Sequence, residues 1–267
     1  MFGNLTDANK YLYHYTTSHI VLNHILPSGK ARLSPLSLTN DPRESKDWYF
    51  SLSSNYDNES VDDYFCQLQM EANNLIKKNC KVLCLTRDNP NIYEYKCNQF
   101  GRGYAHPRMW AQYADNHTGV CIMFHRENLV STIKQELGTL GMLYHGEVQY
   151  ENQPNHESEA FSLDYSDIQK HGLQKVLKRY ITKYNNTFFF KKAMDWQNEW
   201  EYRFILIDND IKSKYFSIKD SIRGLILGVD FPKDYELDIS AFSKRYNVPI
   251  VRILWRNGHP QIIPLHT

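Results

Sequence analysis

EYRFILI (Glu201–Ile207), RGLILGV (Arg223–Val229) and VPIVRILW (Val248–Trp255) are the runs whose reading decides the fold class. Each is short, apolar and rich in β-branched or aromatic residues, which is the signature of a strand. Upstream, KVLCLT (Lys81–Thr86), GVCIMF (Gly119–Phe124) and MLYHGEVQY (Met142–Tyr150) read the same way. YLYHYT (Tyr11–Thr16) begins the series, with Leu12, His14 and Thr16 on one face and Tyr11, Tyr13 and Tyr15 on the other. Helical periodicity marks HIVLNHIL after Ser18, and one face made of Val61, Tyr64, Phe65, Leu68, Ala72, Leu75 and Ile76, with Ser60 as its cap. A second long amphipathic helix is expected from Tyr165 to Tyr184, and one or two turns from Met109 to Ala114. KARLSPLSLTNDPRES, with two prolines, reads as a loop. RDNPNIYEYKCNQFGRGYAHP is long and irregular, and such segments tend to be functional or mobile. Strands outnumber helices and do not alternate strictly with them. That predicts an α+β protein, one domain over residues 1–267, with a mixed or antiparallel sheet flanked by helices.

Composition narrows the partners. The chain has 267 residues and a formal net charge of +1, so there is no bulk attraction to nucleic acid or to anionic membranes. No apolar run approaches the length of a membrane span, and MFGNLTDANKYLYHY lacks the features of a secretory signal. A cytoplasmic location is therefore expected. The five cysteines (Cys66, Cys80, Cys84, Cys97, Cys121) are irregularly spaced and read as reduced thiols; without a paired C-x-x-C no zinc site is expected. Aromatic residues make up 14% of the chain, enough to serve both a core and a site that stacks planar rings.

Polar groups gather against the strands in four places. His14 and Thr16 share a face and together suit a pair of sugar hydroxyls, although a histidine in a strand is commonly a satisfied structural residue. Asn40-Asp41-Pro42-Arg43-Glu44 is a turn that carries carboxylates. Trp110 and Tyr113, three apart on one helical face, are either core or a stacking platform. Glu199 and Glu201 lie two apart at the mouth of a strand, where extended geometry would project both from one face. They are either a surface pair balanced by Lys191, Lys192 or Arg203, or a carboxylate pair aimed at a developing cation.

In this order the motifs L-Y-H-Y-T (Leu12–Thr16), N-D-P-x-E (Asn40–Glu44), W-x-x-Y-A-x-x-x-x-G (Trp110–Gly119) and K-x-x-x-W-x-x-E-x-E-Y-R (Lys192–Arg203) resemble a bacterial family known as domain-of-unknown-function family 2971. That family name carries no activity. A second resemblance does. H-x-T at His14 and Thr16, a middle strand ending at Thr86 (or Tyr113 in its place), and Glu199-Trp200-Glu201 are similar to ADP-ribosyltransferases, and the opening H-Y-T-T looks like that of DNA-modifying toxins of that superfamily. The resemblance implies an ADP-ribosyltransferase-like fold, NAD as substrate, and a nucleic-acid or protein acceptor. It also implies Glu201 and Glu199 as catalytic carboxylates. The implied NAD-binding set is His14, Tyr15, Thr16, Asn40, Thr86, Trp110, Tyr113 and Arg203, with Arg203 or Arg43 on the diphosphate. No G-x-G-x-x-G follows a strand, so a Rossmann site is not expected. His14 and Glu201 should then face one cleft, within reach of a single ribose, and a placement on opposite sides of the sheet would count against the transferase; Glu201→Gln should abolish activity with little change in melting temperature. The competing expectations are an NAD glycohydrolase, a non-catalytic sensor in bacterial antiviral defence, and a metal-dependent nuclease using Asp41, Glu44, Glu199 and Glu201.

Overall fold

Buried strands must place each backbone N–H and C=O on a neighbour, and the apolar runs do so by joining one sheet. A computed structural model of the chain describes residues 9–53, 61–89, 99–152 and 158–265. The ten strands of that sheet are β1 (Tyr11–Thr16), β2 (Lys30–Pro35), β3 (Cys80–Arg87), β4 (Val120–His125), β5 (Met142–Glu147), β6 (Glu201–Ile207), β7 (Lys214–Ser217), β8 (Ile222–Leu227), β9 (Ile250–Arg256) and β10 (His259–Pro264). Their order is β7-β2-β3-β1-β4-β8-β9-β10, and β6 pairs with both β3 and β5. β8 and β9 run parallel; the other pairings in the sheet are antiparallel. The chain is a single α+β domain with a mixed sheet flanked by helices, as its strand pattern predicts.

Alternation along the strands divides the core. Leu83 and Leu85 of β3 and Phe204 and Leu206 of β6 bury against Val21, Ile25 and Leu26, and against Leu129 and Ile133 of the helix Arg126–Leu137. Val82, Ile205 and Ile207 face the other way and meet Leu68, Ala72, Leu75, Ile76, Val176 and Ile181. Tyr13 and Tyr15 pack with Trp110, Cys121 and Ile226 in a third cluster. Each fully buried aliphatic or aromatic side chain here contributes roughly 1.5–3 kcal/mol.

Several local expectations need correcting. Lys30–Pro35 is strand, not loop: Ala31 and Leu33 point into the core while Lys30 and Arg32 point out, a two-residue period obscured by the neighbouring prolines. The helix expected over Tyr165–Tyr184 breaks into Tyr165–His171 and Leu173–Lys183, because Gly172 adopts φ +80°. Helices at Arg126–Leu137 and Glu236–Tyr246 were not anticipated. Ser60, Cys97 and the side chains of Val61 and Tyr64 lie outside the described residues.

One departure from regularity positions the site. Along one edge β3 is bonded to β6 from Cys80 through Thr86. Along the other edge it is shared: β2 takes Lys81 and Val82, and β1 takes Thr86 and Arg87. Between them, among the described residues, Leu83, Cys84 and Leu85 are paired with no strand on that edge. The sheet forks there, with β1 and β2 diverging as two prongs.

Candidate functional site

A cavity of about 940 Å³ opens in the fork, near the upper end of the range of small-molecule sites. Five consecutive β3 residues, Val82–Thr86, line it. A cavity on one sheet face would meet only alternate residues, so this one runs along the open edge of the strand. His14 fills part of the gap by hydrogen-bonding the backbone of Cys84, and burial holds its imidazole below the usual pKa.

The floor rests on a buried ion network, of which Glu44, Lys192, Glu199 and Glu201 line the cavity and Arg203 lies behind them. Arg203 binds Glu201 with two bonds, Nε to Oε1 at 2.5 Å and Nη2 to Oε2 at 3.0 Å. Its guanidinium also pairs with Glu44 and donates to the Phe189 carbonyl at 2.8 Å. Lys192 Nζ lies 2.9 Å from Glu201 Oε2 and donates to Glu199 Oε2 at 2.8 Å. Tyr113 donates its hydroxyl to Glu199 Oε1 at 2.8 Å, and the Glu201 N–H donates to the Tyr150 hydroxyl at 2.8 Å. Burial alone would raise the Glu201 carboxyl; Arg203 and Lys192 outweigh it and hold it at about 2. Burial likewise opposes the charge on Lys192, and Glu201, Glu44 and Glu199 restore it, so its pKa is raised. Glu201 is therefore a permanent anion and not a proton donor near neutral pH.

Glu199 and Glu201 converge by a route the spacing did not predict. Glu199 ends a 3-10 turn (Met194–Glu199), and Trp200 takes a left-handed conformation, φ 43° and ψ 52°, before β6 starts at Glu201. The reversal at Trp200, not strand alternation, brings both carboxylates onto Lys192.

Of the residues singled out in the sequence, the cavity gathers His14, Tyr15, Thr16, Asn40, Thr86, Tyr113, Glu199 and Glu201. His14 and Glu201 come to it from opposite sides: pairing aligns Tyr13, Thr86 and Glu201 on one face and leaves His14 on the other. Both line the cavity because the fork leaves no paired strand between them, yet they enter it from opposite faces of the sheet, which counts against one ribose meeting both. Trp110 and Arg203 are not in its lining. Trp110 is fully buried, edge-on to the Tyr15 ring with its indole N–H on the Tyr104 carbonyl at 2.8 Å, so it is core and not a stacking surface. Arg203 is buried behind the lining with donors committed to Glu44, Glu201 and the Phe189 carbonyl, so it does not present itself to a diphosphate in the cavity, and Arg43, also outside the lining, donates to the Thr187 carbonyl at 2.8 Å.

Among the described residues, Glu44 Oε1 pairs with Arg203 and the Tyr13 hydroxyl interacts with Asp88, whereas two other buried lining oxygens, Thr86 Oγ1 and Asp41 Oδ2, have no partner, on residues only 1% and 6% exposed. Asp41 uses Oδ1 to cap the short helix Pro42–Ser45 through the Arg43 N–H at 2.9 Å. Asp41 was visible in the sequence as a turn residue, and only the fork reveals that its second oxygen is free. Among the described residues no group of three or more His, Cys, Asp or Glu could hold a metal ion, and no helix is long and apolar enough to cross a membrane. Cys66, Cys80, Cys84 and Cys121 are free thiols.

A family model described as a protein of unknown function, DUF2971, matches residues 109–204. The match contains the whole of the W-x-x-Y-A-x-x-x-x-G motif and the whole of the K-x-x-x-W-x-x-E-x-E-Y-R motif, and stops short of the two N-terminal motifs. Neither curated proteins nor solved structures yield a match, to ADP-ribosyltransferases or to any other protein.

Proposed function

We propose that this chain is an ADP-ribosyltransferase-like enzyme that binds NAD in the fork cavity and passes ADP-ribose to a nucleic-acid or protein acceptor. The observation that carries the reading is convergence: His14, Thr16, Thr86, Tyr113, Glu199 and Glu201, distant in sequence, line one cavity of nucleotide-accommodating size. In the reaction the bond between nicotinamide nitrogen and ribose C1′ breaks, and its electron pair goes to the nitrogen and neutralises the pyridinium. The oxocarbenium-like carbon is attacked by an acceptor oxygen or nitrogen, which gives up a proton. Glu201, ionised at any physiological pH, supplies negative charge to the growing cation. Glu199, held by Tyr113 and Lys192, orients the acceptor or takes its proton. Thr86 and Asp41 offer their unpartnered oxygens to ribose hydroxyls.

A second reading draws support from the network itself. Both Glu201 oxygens are occupied by Arg203 and Lys192, which offset the charge that catalysis needs. A binding module without turnover would keep such a floor. The deciding experiment incubates the full chain with nicotinamide-labelled NAD, alone and with DNA, RNA or cell lysate. Free nicotinamide, lost in Glu199→Gln or strongly reduced in Tyr113→Phe, is the expected result, and the fate of the ribosyl label separates transfer from hydrolysis. Saturable binding of NAD with no nicotinamide release under any condition would favour the module.

A further inference from the structure

The cavity differs in charge between floor and mouth. On the floor each cation is matched, Lys192 by Glu199 and Glu201, and Arg203 by Glu44 and Glu201. At the mouth stand Lys30 and Arg32, two residues apart on β2 and so on one strand face. Both are exposed, and among the described residues neither side chain has an ion pair or a hydrogen bond. Their alternates Ala31 and Leu33 are buried in the core, which holds the strand and directs the two cations outward. Arg32 lies near enough to His14 for its charge to add to the lowering of that imidazole's pKa, which burial dominates. Directly across from Arg32 on β7 is Tyr215, 55% exposed and also lining the cavity.

We propose that Lys30 and Arg32 form an anion subsite at the cavity mouth that takes the diphosphate of a nucleotide ligand, with Tyr215 as the adjoining face for its base. Two unmatched cations about 7 Å apart along a strand present donors to neighbouring phosphates, and a guanidinium matches phosphate oxygens with two parallel bonds. The exposed ring beside them supplies the stacking that a base prefers. The assignment deepens the NAD-binding reading, on which it rests, and replaces the diphosphate role expected of Arg203 and Arg43. It also sets the ligand's direction: the phosphates stay at the mouth, and the ribose to be cleaved reaches the floor.

The test is equilibrium binding of ADP-ribose, adenosine and a single-stranded oligonucleotide to the full chain and to Lys30→Gln/Arg32→Gln. Both positions are exposed, and an unchanged unfolding curve shows that the double variant folds. ADP-ribose should bind the native chain and lose roughly tenfold to a hundredfold in affinity in the variant, with a weaker salt dependence. Adenosine affinity should stay unchanged. Loss of ADP-ribose binding in the variant, in a protein that releases no nicotinamide from NAD, would uphold the subsite while the enzymatic reading fails. No binding of ADP-ribose to the native chain, equal affinity in the variant, or a loss confined to the oligonucleotide would overturn the subsite.

Discussion

Glu201 is 3% exposed and meets two cations, so its substitution is first of all a question of stability. Glu201→Gln leaves Arg203 and Lys192 buried with less compensating charge, and breaking a buried pair from one side costs about 3–5 kcal/mol. The expectation that this variant keeps its melting temperature is therefore replaced: urea unfolding should show a loss of about 3 kcal/mol. An unchanged midpoint would mean that water already screens the network. Thr86 makes the opposite case. Its hydroxyl is buried without a partner among the described residues, so Thr86→Val should leave stability unchanged or raise it by about 1 kcal/mol. If the hydroxyl serves a ribose, the same variant should weaken NAD binding about tenfold. A residue that is neutral for folding and costly for binding is what a ligand contact looks like; a loss of stability would instead reveal a partner within the protein.

At the scale of elements, the carboxylate pair depends on one left-handed residue. A non-glycine residue in that conformation costs roughly 1–2 kcal/mol, and a β-branched residue resists it most. Trp200 holds it with its ring edge-on to His106, the centroids 4.5 Å apart. Trp200→Gly and Trp200→Val both lose that contact and differ chiefly in backbone preference. Chemical denaturation should find Val less stable than Gly by about 2 kcal/mol; equal stabilities would show that the turn relaxes when the ring is removed. The sequence made the strands legible because each has a period and a composition of its own, as Glu201–Ile207 and Val120–His125 show. The left-handed turn was not legible, since tryptophan carries no preference for it. The fork was hidden for a different reason: it arises from β1 and β2 competing for one edge of β3, a pairing between segments more than forty residues apart from β3, and β2 itself was masked by Pro35 and the polar stretch that follows.

For the whole molecule, the buried titratable groups set how stability responds to acid. Two windows follow from their shifts. Burial pushes His106 down from 6.5 to about 4. Between those values the unfolded chain binds a proton that the folded chain refuses, so stability is lost as pH falls from about 6.5 to about 4. Glu201 sits at about 2 against an ordinary 4.5. Its contribution is fully present above 4.5 and is lost as pH falls toward 2, where the folded chain must also accept the proton. Each window is worth about 3 kcal/mol at 1.36 kcal/mol per unit. The motifs named eight residues that line the cavity and misplaced Trp110 and Arg203, whereas these energetics were not legible, because they depend on which side chains end up beside one another in the core: Glu201 with Arg203, His106 with Trp200. The two windows can be separated by unfolding the native chain in urea at closely spaced pH values. His106→Phe keeps a ring against Trp200 and removes the titrating group, so it should flatten the slope between pH 6.5 and 4 and leave the lower one. Glu201→Gln should flatten the lower slope and leave the upper one. If His106→Phe left the upper slope intact, the proton would be taken up elsewhere, and His14, whose pKa burial also lowers, would be the next group to replace.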